Sequence, residues 1–554
     1  MLAGLLLLPA CGRPLGGPAS ARPEAADTSD TEADPDDSGR REVRGRIDLG
    51  APVTCADPEA RARRLLRRPA PPGNIATLLT RGSPEAPTAY GLAVGDFDGD
   101  GHADLFVPHR GPAQVFRGDG TGAFNLDSNA LFDDGSEVST GASAADIDAD
   151  GDLDVFVARR GPDRLLRNDG ATFADATPGE LHADPWDTIG GAWGDVDGDG
   201  DLDLFASSFW TADLHADDAP GDWHGDQNTL WVNTDGDLRQ DVAAVAGSRD
   251  ASLGFTWSAG WWDVDGDGRP ELHVVNDKGS EGFHNVLLRF EDGIGTALAA
   301  TGLEIVGSGM GLAAADLNDD RIPDFLVTDW GRLHLLESDP LGWYDTTAAR
   351  GLTLPLDDDR FVAWGAELAD VDNDGDNDAI VVFGPDDLFE PVVSEDGIAS
   401  PLEQLDGLWI RGDDGRYAQA AAAWEFDDRG TARGFVLTDL THDGWLDVVR
   451  RDVKGGIDVL IQACGLEAWM IVDLSWASPN TDGIGARVEL EADGRRWTRW
   501  IHAGSTNVAS SGPPVAHFGL GDVEAVDVTV YWPDGGVQRH SSVGTRRTVV
   551  VRRE

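Results

Sequence analysis

The sequence is poor in cysteine, in positive charge and in long apolar runs. Its 554 residues include only three cysteines, which excludes a disulfide-rich scaffold. Lys and Arg total 43 against 100 Asp and Glu, so the net charge is -57. This charge argues against a nucleic-acid backbone or a broad anionic membrane surface as partner. No apolar run reaches the ~18 residues that a membrane-spanning helix needs.

The acidity does not indicate a wholly disordered chain. The sequence carries 19 Trp, 19 Phe and 41% apolar residues, too many for that class of protein. Bound divalent cations would neutralise part of the negative charge. We therefore looked for acidic clusters with regular spacing.

The first eleven residues resemble a bacterial lipoprotein signal. Leu2 to Leu8 form a short apolar run, which is followed by Pro9-Ala10-Cys11. We expect residues 1–11 to be a signal peptide and lipobox, with Cys11 lipidated. The protein would then be exported and either anchored in the bacterial envelope, at the outer membrane or cell surface, or secreted. No Lys or Arg precedes the run, which departs from the pattern, and a buried helical turn with an ordinary cysteine is the alternative.

Residues 12–73 are predicted to be an acidic flexible tether that ends in a basic segment. Residues 12–45 are rich in Pro, Ala, Gly, Ser, Asp and Glu and lack apolar periodicity. Arginines then cluster at positions 61–68. This cluster is either a solvated face or a docking site for an acidic surface.

A short acidic loop occurs seven times. In its third copy, Asp195 to Asp203, carboxylates stand at positions 1, 3, 5 and 9, and glycine stands at position 6, where the chain must bend. Such oxygen ligands suit a hard cation, above all Ca2+. The side chains at positions 1, 3, 5 and 9 of the seven loops are Asp96, Asp98, Asp100 and Asp104; Asp146, Asp148, Asp150 and Asp154; Asp195, Asp197, Asp199 and Asp203; Asp263, Asp265, Asp267 and Glu271; Asp316, Asn318, Asp320 and Asp324; Asp370, Asp372, Asp374 and Asp378; and Asp439, Thr441, Asp443 and Asp447.

The spacing of the loops predicts a propeller. Their first positions are separated by 50, 49, 68, 53, 54 and 69 residues, a period typical of propeller blades. Small residues precede each loop, as expected of inner strands crowded at an axis, and an apolar strand follows it. We predict an all-β fold, with a seven-bladed propeller over residues 74–465 and a small β domain over 466–554. Asn74 to Thr80 would be the outer strand that closes the ring.

Two other interpretations of the loop were weighed. An EF-hand needs helical flanks and a Glu at position 12, and neither is present. A plain Asp-Gly hairpin turn could explain one copy but not seven copies in register. Some loops could still be turns that no longer hold metal. Loops five and seven have three acids each, and Arg321 replaces the glycine of loop five, so they should bind most weakly.

Over about residues 88–463 the chain resembles the FG-GAP or VCBS repeat propellers, which include the integrin α-subunit head. The resemblance implies up to seven Ca2+ ions, held by the side chains at positions 1, 3, 5 and 9 and by the carbonyl at position 7. Those carbonyls would belong to His102, Asp152, Asp201, Arg269, Ile322, Asp376 and Trp445. Each ion would act as a staple between the first and second strands of its blade.

The C-terminal residues resemble the ASPIC/UnbV domain. The matching motifs are Asn480 to Val488, His517 to Gly521 and Val530 to Gly535. The Gly-rich, Gln-bearing segment usual between the first two motifs is altered here, at Gly504 to Ser511. Propeller plus this domain is similar to the cartilage acidic protein-like family, whose molecular function is poorly defined.

Cys55 and Cys464 flank the propeller. In an oxidising envelope they could form a disulfide that fastens the ring. The alternative is that they stay two separate free thiols, since their distance cannot be judged from the sequence. Between loops three and four, His215, His224 and nearby acids form a candidate transition-metal cluster or a plain polar excursion. Trp210, Trp223 and Trp231 near it could serve a glycan or peptide contact. A second long excursion, Phe383 to Trp409, is acidic and has no His.

No nucleophile, zincin or phosphate-loop signature is present. The favoured hypothesis is therefore a non-catalytic, calcium-binding extracytoplasmic module for adhesion, binding or scaffolding, with a protein or glycan partner. A propeller-face lyase or hydrolase acting on polysaccharide is one alternative. An accessory factor for envelope protein assembly is the other.

Overall fold

The structure is a computed structural model that describes residues 40–55, 65–67, 90–108, 112–127, 138–170, 172–210, 224–291, 293–354, 360–385, 404–427, 429–453, 456–504 and 506–554. Its regular structure is almost entirely β, so the all-β prediction is confirmed. Each acidic loop joins the first and second strands of its own antiparallel sheet, as the sequence indicates. The described residues contain seven such sheets.

The sheets are numbered here in chain order. Their strands are Ala93–Gly95, Asp104–Val107, Gln114–Gly118 and Phe124–Leu126 in the first; Val138–Ala145, Asp154–Arg160, Arg164–Asn168 and Phe173–Asp175 in the second; Thr188–Gly194, Asp203–Ser208, Thr229–Val232 and Arg239–Gln240 in the third; Phe255–Trp262, Glu271–Asp277, Val286–Glu291 and Ile294–Ala297 in the fourth; Leu312–Ala315, Asp324–Asp329, Arg332–Asp339 and Gly342–Asp345 in the fifth; Ala363–Ala369, Asp378–Phe383, Gly407–Arg411 and Tyr417–Gln419 in the sixth; and Ala432–Thr438, Asp447–Asp452, Gly456–Gln462 and Leu65–Arg67 in the seventh.

The sheets pack against one another in chain order. Apolar side chains of one sheet meet those of the next at each seam, for example Phe106 with Val155 between the first and second. Sheet six packs on sheet seven, and sheet seven returns to sheet one, where Leu92 and Val94 lie in the same buried cluster as Val449. The sheets therefore form a closed ring, held by the burial of apolar surface at its seams.

The strand that completes the seventh sheet is not the predicted one. Leu65–Arg67 pairs antiparallel with Leu460–Gln462, whereas the prediction placed Asn74 to Thr80 there; the latter lies outside the described residues. A disulfide joins Cys55 to Cys464, and Cys464 follows the strand Gly456–Gln462 directly. Residues soon after Cys55 are therefore held beside the free edge, which explains why Leu65–Arg67 occupies it.

The C-terminal domain consists of two sheets. One has the strand order Arg41–Glu42, Gly536–Gly544, Ala525–Tyr531, Arg487–Ala492 and Arg495–Trp500. The other has the order Gly45–Leu49, Arg547–Arg553, Ala468–Trp476 and Ala516–Gly521. The predicted tether is thus wrong for residues 41–49, which pair with the C-terminal strands because those edges offer unsatisfied backbone groups.

Helical structure is sparse in the described residues. It comprises Arg249–Leu253 and Thr347–Arg350, with 3-10 turns at Leu181–Ala183, Gly279–Glu281 and Ala421–Trp424. Gln404–Leu405 and Arg429–Gly430 form an additional short strand pair. None of these helices has the length and apolar character needed to cross a membrane.

Candidate metal centres and the domain that covers them

Each acidic loop is folded by its own carboxylates. In loop two, the Asp146 carboxylate accepts the backbone N–H of Asp150 and of Gly151, at 3.2 and 2.9 Å. The Asp150 carboxylate then accepts the N–H of Asp152 at 3.0 Å. Gly151 has φ +95°, a left-handed conformation that glycine adopts without strain. These bonds turn the chain so that the acidic side chains face one another.

The carboxylate at position 9 has a second role that the sequence did not reveal. In loop two, Asp154 accepts the N–H of Ile147 at 3.2 Å and, through its other oxygen, the N–H of Asn168 in the third strand at 2.8 Å. The N–H of position 2 donates to position 9 in every loop. This carboxylate therefore fastens the loop to the third strand as well as to the first two.

Five loops bring three carboxylates together closely enough for one cation. The ligand atoms of each group lie within 4.8 Å of one another. The groups are Asp96, Asp98 and Asp104; Asp146, Asp148 and Asp154; Asp195, Asp197 and Asp199; Asp263, Asp265 and Glu271; and Asp370, Asp372 and Asp374. Within the described residues, loops five and seven form no such group. The five sets of oxygens fit a hard cation such as Ca2+, and the predicted carbonyl ligands stay a prediction.

Burial makes the carboxylates at position 9 of the loops difficult to ionise without a counter-charge. It raises the pKa of Asp154 to about 7 and that of Asp203 to about 8, against the opposing effect of their backbone hydrogen bonds. Burial likewise raises the pKa of Glu271 to about 7, although Arg289 acts in the other direction. A divalent cation would supply the missing positive charge to several carboxylates at once.

Arginines of the third strands already neutralise part of loops one, two and four. Arg117 Nη1 lies 2.7 Å from Asp104, and Arg167 Nη1 lies 3.1 Å from Asp148. Arg289 contacts Asp265 and lies 2.9 Å from Glu271. Sequence reasoning missed these partners, and the repeated arginine near the end of the third strand was the signal that could have indicated them.

The C-terminal domain lies on the loops. Thr481 Oγ1 donates a 2.7 Å hydrogen bond to Asp146 of loop two, and Trp497 Nε1 donates a 3.0 Å bond to the Gly375 carbonyl of loop six. His517 Nε2 lies 3.0 Å from the Gly444 carbonyl of loop seven. The face of the ring that carries the acidic loops is therefore an interface within the chain.

Loop five is held by an ion pair at the position where it departs from the repeat. Arg321, which stands in place of glycine, retains the left-handed backbone with φ +69°. Its guanidinium lies 3.1 Å from Glu489 of the C-terminal domain, and both side chains are largely buried. Arg487 and Arg496 also contact Glu489, at 3.0 and 3.5 Å.

Residues 503–504 and 506–512, together called the axial segment, enter the centre of the ring. Ala503–Gly504 pairs with Ala192 and Trp193 of the third sheet. Farther along, the Thr506 carbonyl accepts the Leu312 N–H at 3.0 Å and the Ala509 carbonyl accepts the Ala142 N–H at 3.2 Å. The Ser511 carbonyl accepts the Val94 N–H at 2.9 Å. This segment is the altered stretch that distinguishes the chain from the usual ASPIC/UnbV pattern.

The glycines of the inner strands make room for the axial segment. A methyl group at Gly365 would come within 1.9 Å of Asn507 Oδ1, and one at Gly434 within 2.2 Å of Ser510 Oγ. One at Gly260 would lie 3.0 Å from a Thr506 methyl. In the described residues the axial segment thus touches the inner strand of each sheet. Small residues were predicted there because blades crowd the axis, but what they accommodate is this inserted chain.

The tip of the axial segment closes the ring from within. Val508 and Ala509 are fully buried and lie in one apolar cluster with Tyr90, Trp257 and Trp364. The Trp257 ring packs edge-on against both other rings, with centroids 5.5 and 5.0 Å away. Val508 and Ala509 both have positive φ, a strained conformation for residues with side chains. The surrounding packing holds that turn.

A cavity of about 130 Å3 remains between the axial segment and the inner strands of sheets four to seven. Glu367 lies on its sixth-sheet side, whereas Arg499, His502 and His517 lie on the C-terminal side. Burial raises the pKa of Glu367 to about 7, and the neighbouring Asn507 acts in the opposite direction. The cavity therefore lies between the two domains, and both polar and apolar side chains line it.

The other predicted site residues have mixed outcomes. Cys11 and His215 lie outside the described residues. His224 Nδ1 lies 2.7 Å from the adjacent Gly225 carbonyl, and the buried Asp226 accepts the Asp187 N–H at 2.9 Å. Trp231 is fully buried in the core, where it cannot present its ring to a ligand.

Comparison with known proteins agrees with this architecture. The model of the FG-GAP-like repeat matches residues 96–157, 146–206 and 263–327. The model named ASPIC and UnbV matches residues 476–554. The chain therefore contains FG-GAP-like repeats followed by an ASPIC/UnbV domain, and both predicted resemblances are confirmed.

A distant relative shares part of the chain. Human cartilage acidic protein 1 is 28% identical over 327 residues, which cover 56% of this chain and 46% of that protein. The chain thus matches less than half the length of this relative. Among solved structures, the extracellular domain of a hybrid two-component system from B. thetaiotaomicron is similar with 10% identity and a TM-score of 0.40, over 80% of this chain and 50% of that one. A lectin from Agrocybe aegerita has 14% identity and a TM-score of 0.38, over 68% of this chain and 94% of the lectin.

Proposed function

We propose that the protein is a calcium-stabilised, non-catalytic binding or scaffold module of the bacterial cell envelope. It is exported and held at the membrane through lipid on Cys11, and its partner is a protein or glycan outside the cytoplasm. The ASPIC/UnbV domain completes the module by covering the metal-binding face of the propeller.

The observation that carries this proposal is the convergence of three carboxylates in each of five loops. Like charges this close repel one another, and burial adds to the cost of ionising them. A cation bound to the folded loops, but not to the unfolded chain, contributes free energy of folding by mass action. Calcium is the cation best suited to such flexible oxygen sites.

The coverage of the loops points to the other face as the binding surface. Contacts from the C-terminal domain occupy loops two, five, six and seven, and the axial segment fills the centre of the ring. The described strand ends that flank the two long excursions, Ser208 and Thr229 in sheet three and Phe383 and Gly407 in sheet six, lie at the opposite ends of their strands from the acidic loops. We place partner binding there because that face carries the departures from the repeat.

Calcium binding is tested with the intact chain. After dialysis against Ca2+, bound calcium is counted by elemental analysis, and the melting temperature is recorded with Ca2+ and with excess EGTA. The expected result is about five ions per chain and a clear fall in melting temperature on chelation. Each site at [Ca2+] near 100 times its Kd contributes about 2.7 kcal/mol. The absence of bound calcium, or an unchanged melting temperature, would refute the proposal.

Export and partner binding need separate tests. Replacement of Cys11 by Ser should move the protein from the membrane fraction to the soluble envelope fraction. A panel of envelope glycans should show binding without cleavage or elimination products. Turnover of any glycan by the purified protein would favour the polysaccharide-active alternative instead.

A further inference from the structure

Two histidines from opposite ends of the propeller sequence meet at its closing seam. His102 in loop one and His442 in loop seven are 340 residues apart, yet His102 Nδ1 lies 2.9 Å from His442 Nε2. Their ring centroids are 5.1 Å apart, and the rings are tilted by 50°. This pair links the first sheet to the seventh outside the carboxylate groups of the calcium loops.

The surroundings of the pair favour a cation. Asp100 and Asp443 are near enough to act electrostatically on His442, and Asp119 is near enough to interact with His102. The space beside His102 Nδ1 is kept open by Gly120, where a methyl group would come within 2.5 Å of that nitrogen. Two imidazoles are thus set among three carboxylates, with no side chain at position 120 to obstruct the nitrogen that faces the partner ring.

The separation of the two nitrogens matches a defined coordination geometry. Imidazole nitrogens bind first-row metals at about 2.0–2.1 Å, so two neighbouring ligands at a right angle are about 2.9 Å apart. Right-angled N and O ligands are typical of Cu2+ and Ni2+. We propose that His102 Nδ1 and His442 Nε2 bind a divalent copper or nickel ion, with water as the further ligands.

This site differs in chemistry from the calcium loops. Calcium selects oxygen ligands, whereas imidazole suits Cu2+ and Ni2+, so the two kinds of ion are sorted by ligand type. A metal held by loops one and seven would also cross-link the first and last sheets of the ring. It would therefore raise the melting temperature beyond the effect of calcium alone.

In the test, Cu2+ is titrated into the intact, Ca2+-saturated protein. Binding is measured by calorimetry, and the ligands are identified by electron paramagnetic resonance. The expected result is one saturable site whose spectrum shows two nitrogen ligands, together with a higher melting temperature. Loss of a group that only orients a metal ligand costs roughly 10- to 100-fold in metal affinity. His102→Ala and His442→Asn should each weaken Cu2+ binding by more than this, because each removes a ligand. Asn is chosen at 442 because His442 has φ +56°, which Asn tolerates well.

His182→Ala serves as the matched control, because His182 is an exposed histidine on the turn Leu181–Ala183. This variant should bind Cu2+ like the unaltered protein. A single cooperative unfolding transition near that of the unaltered protein, measured without Cu2+, shows that each variant folds. Copper binding of unaltered affinity in the double variant His102→Ala, His442→Asn, or no two-nitrogen site in the original protein, would overturn the proposal. The two rings would then share only a hydrogen bond.

Discussion

Loops two and five occupy equivalent places in the ring but are held by different means. Both lie beneath the C-terminal domain, with Thr481 bonded to Asp146 in loop two and Thr498 close to Asp316 in loop five. Loop two brings three carboxylates together. Loop five instead turns its Asn318 amide to the Ser338 carbonyl at 2.9 Å and its arginine to Glu489.

Under the proposed function, the two loops are stabilised in different ways. Loop two, whose acids are complete, would be neutralised by a cation in addition to its bond from Thr481. Loop five, where one acid and the glycine are missing, is held by a hydrogen bond within the sheet and by a buried ion pair to the C-terminal domain. Variants can separate the contribution of the cation from that of the ion pair.

The largest effect should come from displacing the axial segment, because it packs against the inner strands of the ring. Gly365→Val places its Cβ on the Asn507 amide, only 1.9 Å from Oδ1, and 2.8 Å from the Arg433 carbonyl. Overpacking of this kind costs about 1–3 kcal/mol and at times more, so we expect a loss of about 3 kcal/mol or greater, measured by denaturant unfolding.

Gly179→Val is its control, since a Cβ there meets no atom within 4 Å and its φ is not left-handed. The control should change stability by only about 0.5 kcal/mol. If Gly365→Val were equally mild, the axial segment would not be a tightly packed part of the ring.

The next largest effect distinguishes stabilisation by a bound metal from stabilisation by protein contacts, at equivalent positions of loops two and five. Asp146→Asn should remove one bound calcium and, at [Ca2+] near 100 times the Kd, about 2.7 kcal/mol of stability. Asp316→Asn should leave the calcium count unchanged, because loop five forms no three-carboxylate group in the described residues. Elemental analysis and melting curves with and without EGTA measure both quantities.

Each variant is the control for the other, since both retain a side-chain oxygen beside a C-terminal threonine. The stability difference between them should disappear in EGTA. A loss of calcium from Asp316→Asn would show that loop five binds metal despite Arg321, and the contrast between the loops would fail.

The sequence was sufficient for the repeats, because each loop carries its chemistry in nine consecutive residues. The same local code singled out loops five and seven, which form no three-carboxylate group in the described residues; their metal affinity stays a prediction. It could not assign the closing strand, since Leu65–Arg67 and residues 74–80 are both short apolar candidates and the choice depends on the distant Cys55–Cys464 bond.

The cover over the loops was also beyond sequence reasoning. In the sequence, Arg321 indicates only a loop that has lost its glycine, and Gly365 indicates only a small residue near the axis. In the structure, Glu489 lies beside Arg321 and Asn507 lies beside Gly365. Both contacts join residues far apart in the chain. No periodicity within either segment encodes such a pair, so the interface could not be predicted from the sequence.

A smaller effect is expected from breaking the contact that replaces the metal in loop five. Arg321→Gly should cost about 1–2 kcal/mol. Loss of a buried pair costs more than this, but Arg487 and Arg496 still contact Glu489, and glycine removes the left-handed strain. A double-mutant cycle with Glu489→Gln measures the coupling, expected to be about 0.5–3 kcal/mol. Coupling near zero would mean that the ion pair does not hold the loop.

The smallest effect concerns pH and the axial segment. Burial raises the pKa of Glu367 to about 7, above its unfolded value of about 4.3. A folded state that binds the proton more tightly loses stability as pH rises from the unfolded pKa through the folded one. Stability from this group is therefore fully present below about pH 4 and lost above about pH 7. Glu367→Gln, which cannot ionise, should match the original protein near pH 4.5 and be the more stable of the two at pH 8, as measured by denaturant unfolding in matched calcium. An equal pH dependence in both proteins would show that Glu367 ionises freely and that the axial segment does not enclose it.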